Sequence, residues 1–496
     1  MHATSPATVQ FRAGLPYNCA ALTGAFETLC GGYLHIMDNS ETGDGFQCSE
    51  RFLQVLWNER RFCGELVTLD GRKVEVVAPG TWNVESGPDF RDAALRLDGV
   101  LLYGDIEVHR DPFDWYRHGH DRDPAYDKVI LHVVWQTPTR QIADMPPCLV
   151  ISGLLDGPWQ RLTEELNAEL YPYARRVGPG ACALQWALAD DGRVVRLLEI
   201  AGSIRFEEKV TRMQRAIIAT GLGQAVYEGL FEALGYKANR EPFRCLAQQV
   251  RLAYLQSLGG ERAREAALFG GAGLLPDPSV TRLAPVWAER LPAIWDQWWR
   301  QGLSPLSLSW RRSGMRPLNS PERRLGAGVA LLTRWDWHPD EWLLRTAAAA
   351  DSPGALLRVL DEALDVHTPW SGFRTFAAGL GRPAAVLGQP RRRDIVANVL
   401  LPALCAAARQ AATATLERHA TEAFRSMASL QCNRQVNEAV HRFLVPPSRA
   451  RTLLTRACLQ QGILSLYRSF CLLLHGNCRI CPFTGAGAFA QLSDGN

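Results

Sequence analysis

Two segments with alternating apolar and polar residues, 92–97 and 100–109, flank an Asp-Gly pair at positions 98–99. Asp-Gly is typical of two-residue β-hairpin turns, because both turn residues need positive φ angles. The turn and the alternation together predict an antiparallel hairpin. Residues 73–78 (KVEVVA) predict a further strand, which a Pro-Gly pair would end.

The hairpin belongs to a longer series of predicted elements. Residues 49–62 have apolar positions at helical spacing and Ser49 as a suitable N-cap, which predicts an amphipathic helix. Residues 112–121 can form a second helix, with Pro112 in its first turn. Residues 128–136 are nearly all apolar, as expected for a strand that is buried on both faces. The expected order is helix, three strands, helix and strand.

The second hairpin strand, 100–109, carries several ionisable residues on one face. Alternation along a strand places Asp105, Glu107 and His109 on the same side of the sheet. Neighbouring carboxylates repel and raise each other's pKa, and a bound cation removes that repulsion. The hairpin folds Asp89 back beside Glu107. The sequence therefore predicts that Asp89 and Glu107 hold a hard metal such as Mg²⁺.

A purely structural role for these carboxylates is the alternative. Asp89 follows Gly87-Pro88 and can serve only to cap a turn, where aspartate is common. Asp105 and Glu107 can form the solvated face of an edge strand. The convergence of the whole set favours a functional site.

The motif and the order of elements resemble the PD-(D/E)xK nuclease superfamily. In that superfamily a Pro-Asp pair opens the second strand, and an acidic-x-Lys triplet lies on the third. Pro88-Asp89 and Glu107-Val108-His109 occupy these places in the present chain. The resemblance implies an N-terminal mixed α/β core of the restriction-endonuclease type.

The resemblance also implies metal-dependent cleavage of a phosphodiester in nucleic acid, with Mg²⁺ or Mn²⁺ as the metal. A glutamate of the first helix, Glu50 or Glu59, would complete the metal shell. The usual lysine, which would stabilise the developing charge, is replaced by His109. This histidine can act as a general base or as a third ligand, supported by Asp105 from the same face.

Residues after the hairpin are candidates for substrate contacts. His118 and His120 stand two residues apart, which suits a loop or a helix end, and they could bind metal or position a phosphate. Arg117 is one candidate for a basic groove, and Trp115 could stack on a base. The alternative is a hydrogen-bonded junction between helix and strand, with His132 as a core histidine.

A longer resemblance extends over nearly the whole chain. The similarity is to a bacterial family, domain of unknown function 2851, which has no established activity. The segments that carry it are PGTWNVESGPDFRDA (79–93), GDIEVH (104–109), DWYRHGHDRDPAYDKVILHVVW (114–135), RPLNSPERR (316–324) and QGILSLYRSFC (461–471). This resemblance implies that the helical part of the chain belongs with the nuclease-like part.

Changes in the residue pattern, together with stretches rich in proline and glycine, divide the chain into three regions. Residues 1–48 show no sustained period and are interpreted as a leader or extended arm. Residues 49–157 form the expected nuclease-like core, and helical patterns dominate 158–496. The predicted fold class is α+β, with a mixed α/β core followed by a large, mostly α-helical domain.

The composition restricts the cellular compartment of the protein more than it restricts the class of binding partner. A formal charge of +3 neither requires nor excludes nucleic acid as a partner. The apolar runs are too short to span a membrane, so no membrane association is expected. The N-terminal residues lack a signal-peptide pattern, and the 13 cysteines are too sparse for a disulfide scaffold. We therefore expect a cytoplasmic protein.

The C-terminal region contains a second candidate metal site. Cys471, Cys478 and Cys481 have a fair metal-ligand spacing, with Cys432 or Cys458 as a possible fourth ligand. Some nucleases of the superfamily that this chain resembles carry an iron–sulfur cluster on C-terminal cysteines. The ligand is then Zn²⁺ or a [4Fe–4S] cluster, and three buried thiols are the alternative.

Three functions remain compatible with the sequence. The first is a metal-dependent nuclease or phosphodiesterase that acts on nucleic acid. The second is a catalytically degraded, nuclease-like binding module, which the missing lysine allows. The third is a metal hydrolase of a small substrate, built on histidine and aspartate ligands. A basic groove leading to Asp89 and Glu107 would favour the first two, and a closed pocket around the histidines would favour the third.

Overall fold

The chain has a mixed α+β fold, with a sheet in its N-terminal part followed by helices. The computed structural model describes residues 49–84, 86–138, 145–172, 177–279, 281–312, 316–472, 478, 481–485 and 489. The leader expected at 1–48 lies outside these residues.

The first helix, α1 (Glu50–Asn58), begins where the sequence predicts. Ser49 is its N-cap, and the Ser49 hydroxyl accepts a hydrogen bond from the main-chain N–H of Phe52 at 3.3 Å. The apolar positions, including Phe52, Leu53 and Leu56, are fully or almost fully buried. The apolar side of α1 therefore packs on the sheet, and the polar side of the helix remains available to the candidate site.

A single mixed sheet forms the N-terminal part. Its strands are β1 (Leu66–Val67), β2 (Lys73–Ala78), β3 (Thr81–Trp82), β4 (Phe90–Leu97), β5 (Val100–His109), β6 (Val129–Val134) and β7 (Cys148–Val150). The order is β1-β2-β4-β5-β6-β7, and β3 pairs with β4. The pairs from β1 to β5 are antiparallel, whereas β5-β6 and β6-β7 are parallel.

The predicted hairpin is β4-β5. Asp98 and Gly99 both have positive φ angles, 49° and 84°, as a tight hairpin turn requires. Leu97 pairs with Val100 at the turn, and Phe90 pairs with Ile106 at the far end. This register brings the residue before Phe90 beside the end of β5.

The helix expected at 112–121 is much shorter than predicted. Only α2 (Asp114–Arg117) forms, and Gly119 then takes a left-handed conformation with φ 75°. Two 3₁₀ turns follow before β6, and Pro124 opens the second of them. The glycine and the proline end the helical hydrogen bonding. The strand expected at 128–136 is confirmed as β6, and its residues are buried except for partly buried Ile130.

Helices dominate the chain after residue 158, as predicted. They are α3 (Trp159–Glu165), α4 (Ala183–Leu188), α5 (Asp191–Thr220), α6 (Leu222–Leu234), α7 (Arg240–Gln249), α8 (Leu252–Ser257), α9 (Glu261–Gly271), α10 (Pro285–Gln301), α11 (Pro321–Arg334), α12 (Pro339–Ala348), α13 (Pro353–Ala363), α14 (Gln389–Ile395), α15 (Leu401–Gln410), α16 (Ala414–Ser426), α17 (Arg434–Phe443), α18 (Ala450–Leu453) and α19 (Ala457–Tyr467). No helix in the described ranges combines the length and apolar character needed to cross a bilayer.

Ionic contacts join the sheet to the helices. Arg61, which follows α1 and is buried, lies 2.9 Å from both Asp156 and Glu165. Glu165 also accepts a hydrogen bond from Arg240 of α7 at 3.1 Å. A buried arginine needs such carboxylate partners to offset the loss of hydration. Arg61 therefore has a structural role.

The long helix α5 packs against α19 through two glycines. A Cβ atom at Gly202 would lie 2.1 Å from the Cys458 carbonyl oxygen. A Cβ atom at Gly462 would lie 2.0 Å from the Leu198 carbonyl oxygen. The two backbones therefore touch directly, and any larger residue must push the helices apart.

We expect Gly462→Ala to lower the free energy of unfolding by about 1–3 kcal/mol, the usual cost of overpacking a close contact. Thermal and urea unfolding of the two proteins measure the difference. Gly354→Ala is the matched control, because Gly354 is also helical but an added Cβ would meet only the Arg358 guanidinium, at 3.9 Å. Its midpoint should equal or exceed that of wild type. An unchanged midpoint for Gly462→Ala would contradict the close crossing.

Candidate metal centre

The hairpin register places Asp89 and Glu107 side by side. The main-chain N–H of Asp89 donates to Glu107 Oε2 at 3.0 Å, and that of Val108 donates to Asp89 Oδ2 at 3.0 Å. Each carboxylate is thus held by the backbone of the opposite segment. Both carboxylates are largely shielded from solvent.

Helix α1 adds two polar side chains to this pair. Gln54 Nε2 donates to Asp89 Oδ1 at 2.7 Å. Glu50 lies close enough for its charge to raise the pKa of both Asp89 and Glu107. Of the two expected helix glutamates, Glu50 therefore lies at the site, whereas Glu59 accepts a hydrogen bond from the Tyr171 hydroxyl at 2.6 Å.

Two histidines converge on Glu107, and a third contacts one of them. The Nε2 atoms of His109 and His120 each lie 3.4 Å from Glu107 Oε1, and His118 Nδ1 lies 3.2 Å from His109 Nε2. The left-handed conformation of Gly119 reverses the chain, so that the flanking histidines both turn toward β5. The ligand atoms of the three histidines lie within 4.8 Å of one another. This group can hold a metal ion.

The distances between these donor atoms agree with a small coordination sphere. A tetrahedral ion with bonds of 2.0–2.1 Å to imidazole nitrogen places its ligand atoms about 3.4 Å apart. His120 Nε2 is buried without a hydrogen-bond partner among the described residues, although Glu107 Oε1 lies 3.4 Å away. A cation between the two atoms would satisfy both.

A buried histidine lies behind this group. His109 Nδ1 is 2.9 Å from His132 Nε2, and His132 Nδ1 is 3.1 Å from the sulfur of Met145. If His109 Nε2 offers its lone pair to a metal, its Nδ1 carries the proton and donates to His132. Metal-bound histidines are usually oriented by such a contact on the other ring nitrogen.

Burial sets the protonation of the cluster. Loss of hydration is the largest cause of the raised pKa of Asp89 and of Glu107, and of the lowered pKa of His109 and His132. The pKa of His120 is lowered as well, first by burial and then by His118. Burial thus favours the neutral form of His109, His120 and His132, and neutral imidazole is the form that binds metal.

Two aromatic side chains support the histidines. The ring of Tyr126 stacks on His120 with a centroid distance of 3.8 Å, and burial together with Glu107 raises the Tyr126 pKa to about 12. Trp115 is 4% exposed and packs edge-on against His120. Its indole N–H has no partner among the described residues. The predicted role of Trp115 in base stacking conflicts with this burial.

Other predicted site residues lie outside the cluster. Asp105 accepts a hydrogen bond from the main-chain N–H of Asp92 at 3.1 Å, and within the described residues no hydrogen bond links it to the carboxylate pair. Arg117 is exposed and forms ion pairs with Asp111 and Asp114. Neither position supports the role that the sequence suggested.

Two other arginines, Arg51 and Arg110, do bring positive charge to the site. Arg51, next to Glu50 on α1, lies 4.8 Å from the centre of the Trp82 ring, and its charge lowers the pKa of Asp89. The charge of Arg110 lowers the pKa of Glu50. No sequence pattern had pointed to Arg51 or Gln54 as site residues. The available signal for Gln54 was its position one helical turn after Glu50.

The predicted C-terminal cysteines lie in the helical part of the chain. Cys481 lies close enough to Cys471 and to Cys478 for electrostatic interaction. Among the described residues, however, these cysteines form no group whose ligand atoms all lie within 4.8 Å of one another. The fourth ligands suggested by the sequence lie elsewhere. The Cys458 thiol contacts the carbonyl oxygen of Glu199 at 3.6 Å, and the Cys432 thiol contacts Asn437.

Comparison with known proteins gives one match. A model for a family described as a protein of unknown function (DUF2851) covers residues 50–432. Neither the curated proteins nor the solved structures contain a significant match to the chain. The matched residues include α1, the whole sheet and the histidine cluster, and they make up well over half of the chain. The chain therefore belongs to the DUF2851 family.

Proposed function

We propose that this protein is a metal-dependent phosphodiesterase that acts on nucleic acid. The observation that carries the proposal is the convergence of Glu107 Oε1 with the Nε2 atoms of His109 and His120 at 3.4 Å. Together with His118, these side chains would hold the metal. A metal bound there would lower the pKa of an attacking water and neutralise charge on the phosphate.

The donor set favours one group of metals over another. Sequence analysis leads to Mg²⁺ or Mn²⁺ held by Asp89 and Glu107. Three imidazole nitrogens and one carboxylate suit Zn²⁺ or Mn²⁺ better than Mg²⁺, which prefers oxygen ligands and retains several waters. We therefore propose a transition-metal ion at the histidines.

The neighbouring carboxylates support phosphodiester chemistry. Asp89 lies at the start of β4, Glu107 lies on β5, and Glu50 reaches them from the preceding helix. We take this placement as support for the proposed PD-(D/E)xK-like core. Glu50 and Asp89 are the nearest carboxylates that can accept the proton of an attacking water. Arg51, on the same helix, supplies a positive charge for the phosphate.

A metal hydrolase of a small substrate is the second candidate. The imidazole-rich donor set favours it, and so does the pairing of several basic residues within the fold. Arg117 is paired with Asp111, and Arg392 with Asp361. Arg51 and Arg110 are arginines whose charges do act on the site carboxylates. A substrate panel of single- and double-stranded DNA and RNA, together with small phosphodiesters, separates the two candidates.

We expect Glu107→Gln to remove hydrolysis and weaken metal binding. The change keeps the shape but removes the charge at the centre of the donor set, and loss of such an electrostatic contribution commonly costs at least ~100-fold in rate. Calorimetric titration with Mn²⁺ and Zn²⁺, and hydrolysis of the substrate panel, measure the two effects.

Glu75→Gln is the matched control for Glu107→Gln. Glu75 lies on β2 of the same sheet and is exposed, with a surface ion pair to Arg96 at 3.4 Å. Its loss should change neither metal affinity nor rate. Wild-type activity in Glu107→Gln would refute the proposed centre. Hydrolysis of small phosphodiesters alone would favour the second candidate.

We expect His109→Lys to lose transition-metal affinity by at least ~100-fold, because a charged ammonium replaces a neutral donor beside the other imidazoles. The variant also restores the lysine of the PD-(D/E)xK pattern. Metal titration, together with activity in Mg²⁺ and in Mn²⁺, measures the result. His367→Lys, at an exposed position, is the control. Activity gained in Mg²⁺ would place the metal at Asp89 and Glu107 instead.

A further inference from the structure

A cavity of about 450 Å³ lies beside the first helix, where the sheet meets the helical part of the chain. This volume is within the range of about 300–1,000 Å³ that is usual for small-molecule sites in proteins. Helix α1, the loop around β3, the turn after α3 and helix α17 all contribute to its wall. The lining residues are Asn58, Glu59, Gly80, Thr81, Trp82, Leu170, Tyr171, Pro172 and Arg434.

The cavity lies about one helical turn from the carboxylates of the candidate metal centre. Gln54, which donates to Asp89 Oδ1 at 2.7 Å, and Asn58 are four residues apart on α1 and therefore face the same side of the helix. The rise between these two residues is about 6 Å. On the sheet side, Trp82 pairs with Phe90, which directly follows Asp89. Adjoining parts of one ligand could therefore occupy the cavity and the metal centre together.

Arg51 connects the cavity with the metal centre. Its guanidinium lies 4.8 Å from the centre of the Trp82 ring and donates a hydrogen bond to the Tyr171 carbonyl. Both of these residues line the cavity, and Arg51 itself is exposed. On α1 it adjoins Glu50, which belongs to the candidate centre. Arg51 therefore places a positive charge against the cavity wall, where it can pair with a phosphate.

Both charged residues of the lining already have partners. The Glu59 carboxylate accepts a hydrogen bond from the Tyr171 hydroxyl at 2.6 Å. Arg434 forms an ion pair with Glu438 at 2.7 Å. Because neither charge is left unbalanced, the cavity suits an uncharged group better than a phosphate or a carboxylate.

The rest of the lining offers neutral hydrogen-bonding groups and aromatic surface. The Asn58 amide and the Thr81 hydroxyl form no hydrogen bond with any described residue. An amide carries both donors and an acceptor, and so can pair with the edge of a nucleobase. Tyr171 is half-buried and stacks on Trp82 at a centroid distance of 5.9 Å. Its ring is thus only partly covered, and a stacked base would cover more of it.

We propose that this cavity receives one unpaired base of a single-stranded nucleic acid, while the adjoining phosphate lies at the metal centre. The inference rests on the proposed function and adds a substrate class to it. The Asn58 amide would pair with the edge of the base, and Arg51 would bind the phosphate beside it. A base within a duplex is stacked and paired, so it cannot enter such a cavity without leaving the double helix.

Matched oligonucleotides test the substrate class. Hydrolysis of a single strand and of the duplex with the same sequence is measured with the wild-type chain in Zn²⁺ or Mn²⁺. We expect the single strand to be cleaved at least ~10-fold faster, because the duplex must first release a base. Equal rates, or faster cleavage of the duplex, would overturn the inference and leave the proposed function intact.

Binding without hydrolysis separates this inference from the proposed function. Adenosine 5′-monophosphate and ribose 5-phosphate carry the same phosphate, but only the first has a base. In equilibrium dialysis we expect wild type to bind the nucleotide at least ~10-fold more tightly, as stacking and pairing of the base predict. Equal affinities would overturn the inference even if phosphodiesters are hydrolysed. Tighter binding of the nucleotide without any hydrolysis would support the base site and refute the proposed function.

Asn58→Leu removes the amide but keeps a side chain of similar size. We expect it to bind adenosine 5′-monophosphate about 5- to 10-fold more weakly, the loss expected for one hydrogen bond, with unchanged affinity for ribose 5-phosphate. Gln297→Leu is the matched control, because Gln297 is a half-buried amide on α10, which contributes no residue to the cavity. Wild-type affinity for the nucleotide in Asn58→Leu would contradict the placement of the base in this cavity.

Discussion

The paired hydrogen bonds between Asp89 and the end of β5 are the contacts on which the candidate metal centre depends. The Asp89 N–H holds Glu107, and the Val108 N–H holds Asp89. If the strands slipped by one residue, Glu107 would turn to the opposite face of the sheet. It would then lie apart from the histidines that follow β5. The turn sets the register as far as Ala93 and Gly104, and a bulge between Phe90 and Ala93 then shifts it by one residue before Asp89.

Burial of the two carboxylates lowers the free energy of unfolding. Asp89 and Glu107 lose most of their hydration, and Glu50 adds repulsion, so the charged forms of both are disfavoured. Gln54 and two backbone donors offset only part of this cost. Buried charged groups with strongly shifted pKa values of this kind are concentrated at functional sites. The remaining imbalance is the strongest physical reason to expect a cation in this part of the molecule.

Contacts of the candidate site between residues close in sequence can be predicted from the sequence, whereas contacts between distant segments cannot. Strand alternation predicts that Glu107 and His109 share a face, and the hairpin turn predicts that Asp89 lies near the end of β5. The exact pairing of Asp89 depends on the bulge between Phe90 and Ala93. The approach of Gln54 depends on how α1 packs, which periodicity alone does not specify. Gly119 shortens the expected helix, because a single left-handed residue outweighs the helical pattern around it.

The direct contact between α5 and α19 has a consequence for synthesis on the ribosome. Helix α5 is complete at Thr220, but its partner begins only at Ala457. During most of translation the part of α5 around Leu198 lacks the helix that it contacts in the folded chain. Contacts between such distant segments form slowly, and exposed apolar surface favours aggregation in the meantime. The nascent chain is therefore expected to need chaperone protection until its last helices emerge.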